Sequence, residues 1–275
     1  MILHALRDAG WEERASCCAF AISSSAGAAD LTASEAWPVA LAEVVDHREP
    51  GGVFRLPTSP DELAVLALVD GWAGSLRAYG LEISTGPVVP FRATEWLANE
   101  SSAATVPLLW MNHIRAMAVH WPNGVRKPQY IVNREPSRKL LLPTRNYVIL
   151  RRFSAKEERR RLTAAPLLAS AIHTPLIGVE NHLNYIYRPG GTLTEDEAWG
   201  LAALFNSALL DTYFRCLNGN TQVGATELRV MPLPPLEAIA RLGCRVKAAA
   251  DPLAVIDGLV EALTVGAAQR EIAVG

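Results

Sequence analysis

The chain has 275 residues, is 50% hydrophobic and carries a formal net charge of −2, a composition that suits a globular protein with a large buried core. The most apolar stretch, residues 198–210, is interrupted by Asn206 and Ser207 and is too short to span a membrane. No secretory signal pattern opens the chain, and the four cysteines form no C-x-x-C pair. These features argue against membrane and disulfide-rich secreted proteins and predict a cytoplasmic location.

The first third of the chain predicts short strands followed by one helix. Residues 1–6, 17–23 and 53–57 have strand-like apolar runs. The first run has no polar lead-in, so we expect it to belong to a larger sheet. Ser59 as N-cap, Pro60 in the first turn and Glu62 in a capping box predict a helix that apolar spacing extends to Gly80.

Beyond a domain boundary placed near residue 80, the pattern changes to short strands and turns. Proline–glycine turn signals separate apolar runs that are rich in β-branched and aromatic residues. Strands are predicted at residues 81–84, 106–110, 118–121, 129–132, 147–153 and 176–179.

The last third of the chain predicts helices. A capping box at Thr194 opens a helix over residues 195–216 that is apolar nearly all round and should therefore be buried. Asn206-Ser207 is its polar break and should satisfy backbone groups of a packed neighbour. A proline-rich stretch then leads to a short helix ending at Gly243, and a last helix is predicted from Asp251-Pro252 to about Leu263.

Positive charge is concentrated in one segment. Residues 108–161 hold 13 of the 26 Lys and Arg residues but only three acids, whereas the remaining residues are acidic on balance. This asymmetry predicts a surface that binds a polyanion, most simply DNA or RNA. The alternative is a solvated face in which Glu157 and Glu158 pair with Arg159, Arg160 and Arg161.

Several common catalytic motifs are missing from the sequence. It contains no G-x-G-x-x-G or G-x-x-x-x-G-K-[ST] loop, no G-x-S-x-G elbow and no zinc-spaced His/Cys cluster. The sequence therefore predicts no metal site and no self-contained active site.

Several blocks of the sequence resemble the target recognition region of adenine-specific (N6) DNA methyltransferases of type II restriction–modification systems. They cover roughly residues 80–235 and occur in the order of that family: 83–93 (ISTGPVVPFRA), 139–143 (KLLLP), 147–161 (YVILRRFSAKEERRR), 178–184 (GVENHLN), 201–215 (LAALFNSALLDTYFR) and 218–228 (NGNTQVGATEL). The first 60 residues are similar to the final strands of that family's catalytic domain.

The resemblance implies an α+β chain in three parts. Residues 1–80 would be a remnant of an α/β methyltransferase sheet with a linking helix. Residues 81–240 would be a target recognition domain of mixed β-strands with a buried helix, and residues 241–275 a C-terminal helical tail. The expected partner is duplex DNA, together with a separate methyltransferase catalytic half, and no membrane.

The chain departs from the family in its catalytic motifs. The family's Asn/Asp/Ser-Pro-Pro-Tyr/Phe motif, which holds the extruded adenine, has no counterpart, because Pro234-Pro235 lacks both the preceding polar residue and the following aromatic. Asn220 stands where the family has a histidine. The resemblance therefore implies that no catalytic or cofactor-binding residue lies in this chain, and that S-adenosylmethionine binds the missing half.

The residues predicted to contact DNA are basic or amide-bearing and lie at turns or just after apolar elements, where side chains can reach phosphates or base edges. They are Arg115, Arg126, Lys127, Arg151, Arg152, Lys156, Asn181, His182, Asn218, Asn220, Thr221 and Gln222.

Three other interpretations remain open at the level of sequence. The chain could be a stand-alone specificity module like the recognition subunits of type I restriction systems. It could be a non-functional truncated fragment. A module that binds acidic proteins would need the basic face to bind carboxylates instead of phosphates.

Overall fold

The computed structural model describes residues 19–23, 36–46, 53–124, 126–155, 157–217 and 221–272, with side chains as far as residue 264. The strand predicted at residues 1–6 lies outside this range. The described strands are β1 Ala19–Ile22, β2 Trp37–Ala40, β3 Val45–Asp46, β4 Val53–Phe54, β5 Glu82–Thr85, β6 Leu97–Ala98, β7 Thr105–Leu109, β8 Ile114–Arg115, β9 Ala118–Val119, β10 Tyr130–Val132, β11 Leu141–Pro143, β12 Tyr147–Arg151, β13 Ala164–Leu167, β14 Leu176–Val179 and β15 Leu183–Tyr187.

Most helices precede or follow the main run of strands, and α3 lies between β10 and β11. They are α1 Leu41–Val44, α2 Pro60–Asp70, α3 Glu135–Arg138, α4 Glu195–Asn206, α5 Ala208–Leu217, α6 Ala225–Val230, α7 Leu236–Ala248 and α8 Pro252–Ile272. Helices and several sheets together confirm the predicted α+β class.

Two sheets form the centre of the fold. The first has the strand order β11-β14-β7-β10-β6, and the second has the order β13-β12-β15-β5. All pairs in these two sheets are antiparallel except β14 with β7, which are parallel. A three-residue turn, Glu180 to His182, joins β14 of the first sheet to β15 of the second.

The sheets and helices stack in layers. Ile149 of β12 and Val179 of β14 share a hydrophobic cluster that fills the space between the two sheets. On its other face the second sheet packs Val148 and Leu150 against the buried helix α4. The residues of α4 from Leu201 to Phe205 are fully buried, as the apolar sequence predicted.

The helix starts agree with the predicted N-caps, although the capping box predicted at Ser59 is not formed. Ser59 Oγ accepts from the Glu62 amide at 3.2 Å, while the Glu62 carboxylate accepts from the amide and hydroxyl of Thr58. At Thr194 the capping box is complete, because Thr194 Oγ1 accepts from the Glu197 amide and Glu197 Oε2 accepts from the Thr194 amide.

Three predicted helix ends were wrong, and one predicted helix is divided in two. Helix α2 stops at Asp70, with Gly71 as its C-cap, and a separate 3₁₀ turn ends at Gly80, which has a φ of 64°. The helix predicted over 195–216 divides at Ser207, which has extended backbone. Helix α7 continues through Gly243 to Ala248, and α8 continues past Leu263. Gly243 was interpreted as a terminator, although tertiary packing decides whether a helix continues.

Candidate nucleic-acid interface

Several strands of both sheets end at one common edge. Because β7 and β14 are parallel, their carboxyl ends meet there. The turn after β14 brings the start of β15 to the same place. Strands β12 and β5 run antiparallel to β15, so they also end at this edge. Residues that follow these strands are therefore neighbours.

We call the polar side chains at this edge, with Phe153, the sheet-end surface. It contains nine of the twelve predicted DNA-contacting residues, which follow or precede strands or pair with them. Its members are Arg115, Arg126, Lys127, Arg151, Arg152, Phe153, Asn181, His182, Thr221 and Gln222. The other three predicted residues, Lys156, Asn218 and Asn220, lie outside the described residues.

Arg151 connects β12 to the hairpin of β8 and β9. Its Nε and Nη2 donate to the carbonyl oxygen of Ile114 at 2.9 and 2.6 Å. Burial, followed by the charge of Arg115, lowers the pKa of Arg151. Two of the three nitrogens of this guanidinium therefore hold the hairpin beside the sheet.

Arg152 lies between two other parts of the surface. Its Nη1 donates to the carbonyl oxygen of Asn181 at 3.1 Å. When the Gln222 amide is oriented to suit its neighbours, its oxygen accepts from Nη2 and Nε of Arg152 at 2.7 and 3.1 Å. The Val223 amide also donates to the Arg152 carbonyl, and the Ser154 amide donates to that of Thr221. The segment after α5 is thus fastened along the end of β12.

Arg115, Arg126 and Lys127 are the exposed cations of this surface. None of them forms an ion pair with an acidic side chain in the described part of the chain. The Lys127 ammonium lies 4.4 Å from the centroid of the Trp110 ring, a cation–π contact that leaves it at the surface. Cations without acidic partners are suited to bind phosphates.

His182 is exposed and its imidazole Nδ1 is hydrogen-bonded to Oε1 of the buried Glu180. The rings of His182 and Phe153 meet edge to face with centroids 5.2 Å apart. Glu180 was not among the residues predicted for the site. Its only sequence signal is its position two residues before His182 in one of the resembling blocks.

Phe91 was also missed by the sequence analysis. It is 74% exposed, and the guanidinium of Arg92 lies 5.3 Å from its ring centroid. Nearby, Val88 forms a parallel bridge with Glu180, so the loop that carries Phe91 leaves the fold beside the sheet-end surface.

The fold divides the basic segment between different sides of the molecule. Because β10 runs antiparallel to β7, Arg134, Arg138 and Lys139 follow β10 at the opposite end of the sheet. Arg160 pairs with Asp257 of α8 at 2.7 Å, and Arg161 is only 2% exposed. The alternative pairing of Arg159 to Arg161 with Glu157 and Glu158 is absent from the ion pairs of the described residues.

A cavity of about 270 Å³ lies on the helical side, between the β3–β4 hairpin, α2 and α5. Asp46 and Asp70 line it, and the buried Arg55 forms ion pairs with both. Tyr213 donates to Asp70 at 2.9 Å. Within the described residues, no group of three or more His, Cys, Asp and Glu side chains could hold a metal ion, and no helix is long and apolar enough to cross a membrane.

Comparison with known proteins points to one class of enzyme. No protein-family model matches the chain. It is 40% identical over 169 residues to the type II methyltransferase M.BsuBI of Bacillus subtilis, a match that covers 62% of this chain and 34% of the relative. It is 34% identical over 205 residues to the type II methyltransferase M.PstI of Providencia stuartii, a match that covers 74% of this chain and 40% of the relative. These similarities support the type II methyltransferase family, although the chain spans well under half the length of either curated relative.

Proposed function

We propose that this chain provides sequence-specific duplex DNA recognition within an adenine-N6 methyltransferase of a restriction–modification system. The observation that carries this proposal is the sheet-end surface, where Arg115, Arg126 and Lys127 are exposed without described acidic partners. The similarity to two type II methyltransferases supports it. These three cations would bind phosphates and so position the duplex on the surface.

We assign methyl transfer to residues other than these 275, whether they belong to the same polypeptide or to another. S-adenosylmethionine would be the methyl donor there, since the sequence has neither a glycine-rich cofactor loop nor an Asn-Pro-Pro-Tyr motif. The acid-lined cavity does not fit the cofactor, because both of its carboxylates are already paired with Arg55. The role of this chain would be to bind and orient the duplex while the target base is extruded.

The proposed domains share a common core. Leu66 and Val69 of α2, from the part assigned to the catalytic remnant, pack in the same cluster as Leu201 of the recognition part. Ile256 and Val260 of the C-terminal tail also belong to it. We therefore propose that residues 60–80 and 252–264 act as a scaffold that holds the recognition sheets in place.

The experiment that tests DNA recognition compares two matched triple variants. Replacing Arg115, Arg126 and Lys127 with Ala should weaken binding to duplex DNA at least about tenfold. It should also reduce the salt slope, the slope of log affinity against log salt concentration, by up to about three, because a protein with fewer phosphate contacts releases fewer counterions when it binds. The same replacement of Arg134, Arg138 and Lys139, at the opposite sheet end, should have a small effect. Binding is measured by fluorescence anisotropy over a range of salt concentrations.

Two results would contradict this proposal. One is wild-type protein that binds no duplex DNA at low salt. The other is an equal loss of affinity in the two triple variants, which would mean that net charge alone drives binding. Circular dichroism of both variants checks that the fold is retained.

A further inference from the structure

The turn between β14 and β15 carries a buried carboxylate beside an exposed imidazole. Glu180 is 1% exposed, whereas the side chain of His182 is 48% exposed. Oε1 of Glu180 is hydrogen-bonded to His182 Nδ1, and Oε2 of Glu180 has no hydrogen-bond partner among the described residues. Burying a carboxylate with so few partners costs free energy. We therefore infer that Glu180 and His182 have a function other than packing.

The turn is held firmly by its neighbours. The Glu180 amide donates to Leu109 and the Asn181 amide donates to Val88, while the His182 carbonyl accepts from the Arg152 amide, at 2.9 to 3.0 Å. A side chain at Gly86 would overlap the carbonyl of Glu180, so the glycine permits this close approach. The imidazole is thus fixed at the sheet-end surface, as a group that reads a base needs to be.

The contact with Glu180 determines which nitrogen faces outward. A carboxylate accepts hydrogen bonds, so Nδ1 carries the hydrogen that points to Glu180. In the neutral ring Nε2 is then a hydrogen-bond acceptor. Arg115, Arg126 and Lys127 only donate, so His182 adds a chemistry that these cations lack. In the major groove, acceptors pair with the exocyclic amino groups of adenine and cytosine.

We propose that His182 Nε2 reads the exocyclic amino group of an adenine or cytosine in the target site, and that Glu180 is the positioning residue that fixes the Nδ1–H form. This inference rests on the proposed DNA recognition and adds a base-specific contact to it.

The test is selection of bound duplexes from a randomised pool. Wild type should yield a consensus sequence. His182→Ala should lose the preference for adenine or cytosine at one position, keep the rest of the consensus, and bind the wild-type consensus about fivefold or more weakly. As control, Arg115→Ala should keep the consensus, weaken all sequences alike and reduce the salt slope by about one.

Glu180→Gln separates positioning from structure. The amide can donate to Nδ1, which moves the ring hydrogen to Nε2 and converts the acceptor into a donor. We expect the selected base at that position to change to one that presents an acceptor, guanine or thymine. The ¹⁵N chemical shifts of His182 should report the change of tautomer. If Glu180 only supported the fold, its replacement would leave the tautomer of His182 unaltered.

The outcomes are distinct. An unchanged consensus in His182→Ala, or a uniform loss with a salt slope reduced by about one, overturns the base-reading role while DNA recognition stands. A wild-type protein that selects no DNA overturns both proposals. Glutamine can also accept from Nδ1–H through its oxygen, so the deciding result is Glu180→Ala, which offers Nδ1 neither donor nor acceptor: an unaltered tautomer and consensus in that folded variant overturns the positioning role of Glu180.

Discussion

Buried polar side chains in this protein complete the hydrogen bonding of strand ends. Asn206 accepts from the Ala164 amide at 3.2 Å and donates to the Ala164 carbonyl at 2.7 Å. Asp211 accepts from the amides of Arg161 and Leu162. Each contact joins a helix to the strand β13 or to the segment before it. The predicted role of Asn206 in satisfying backbone groups is confirmed, because an unpaired buried amide would be costly.

At the scale of single residues, Arg151 and Arg115 should behave differently. Arg151→Ala removes two hydrogen bonds to the part-buried Ile114 carbonyl, which then keeps only the longer one from Arg115 Nη1 at 3.3 Å, so the free energy of unfolding should fall by about 1–3 kcal/mol. Arg115→Ala, at an exposed site of the same hairpin, should change it by less than about 0.5 kcal/mol. Urea denaturation measures both, and equal effects would contradict the structural role of Arg151.

At the scale of elements, glycines set the distance between α4 and α7. A Cβ at Gly243 would overlap the carbonyl of Asp196 and the amide of Gly200, and one at Gly200 would overlap the carbonyl of Ile239. Close approach of the two helix backbones requires residues without side chains. This explains why Gly243 lies inside a helix that the sequence analysis ended there.

Alanine at these glycines should therefore destabilise the helix pair. Gly200→Ala and Gly243→Ala should each lower the free energy of unfolding by about 1–3 kcal/mol or more, because the backbones must move apart. The matched control is Gly258→Ala in α8, where nothing lies within 4 Å of the added methyl group. There, alanine should raise stability by up to about 1 kcal/mol. A loss at Gly258 equal to the loss at Gly243 would show that packing does not explain the effect.

At the scale of the whole molecule, two buried groups make stability depend on alkaline pH. Burial raises the pKa of Cys216 from 9.0 to about 12 and that of Tyr147 from 10.0 to about 12. Between about pH 9 and 12 the folded state holds protons that the unfolded state has lost. Stability must therefore fall as pH rises through this window.

The double variant Cys216→Ala with Tyr147→Phe should show a shallower fall of stability between pH 9 and 11 than wild type. The measurement is urea denaturation at several pH values, with each protein referred to its own stability at pH 7 so that the packing changes cancel. Parallel pH profiles for the two proteins would show that other groups cause the loss.

Part of the local structure followed closely from the sequence, although strands β11, β13 and β15 of the two central sheets were not predicted. The caps at Ser59 and Thr194 depend on a few neighbouring residues, and β14 lies where residues 176–179 predicted it. Strand positions agreed to within one or two residues at most sites, because alternation of apolar side chains is a local property. The type II methyltransferase resemblance was also present in the sequence blocks and is supported by the two relatives.

Only the tertiary structure decided which charges act together. The sequence groups Arg115, Arg134 and Arg161 in one basic segment, but strand direction sends the first two to opposite sheet ends and burial removes the third from the surface. The parallel pairing of β7 with β14 brought Glu180 and His182 beside residues that follow β7. Such contacts depend on register and strand order between distant segments, which local propensity does not encode. Sequence alone therefore determined the helix caps, some of the strands and the family resemblance, and the assembly of the sheets determined the candidate site.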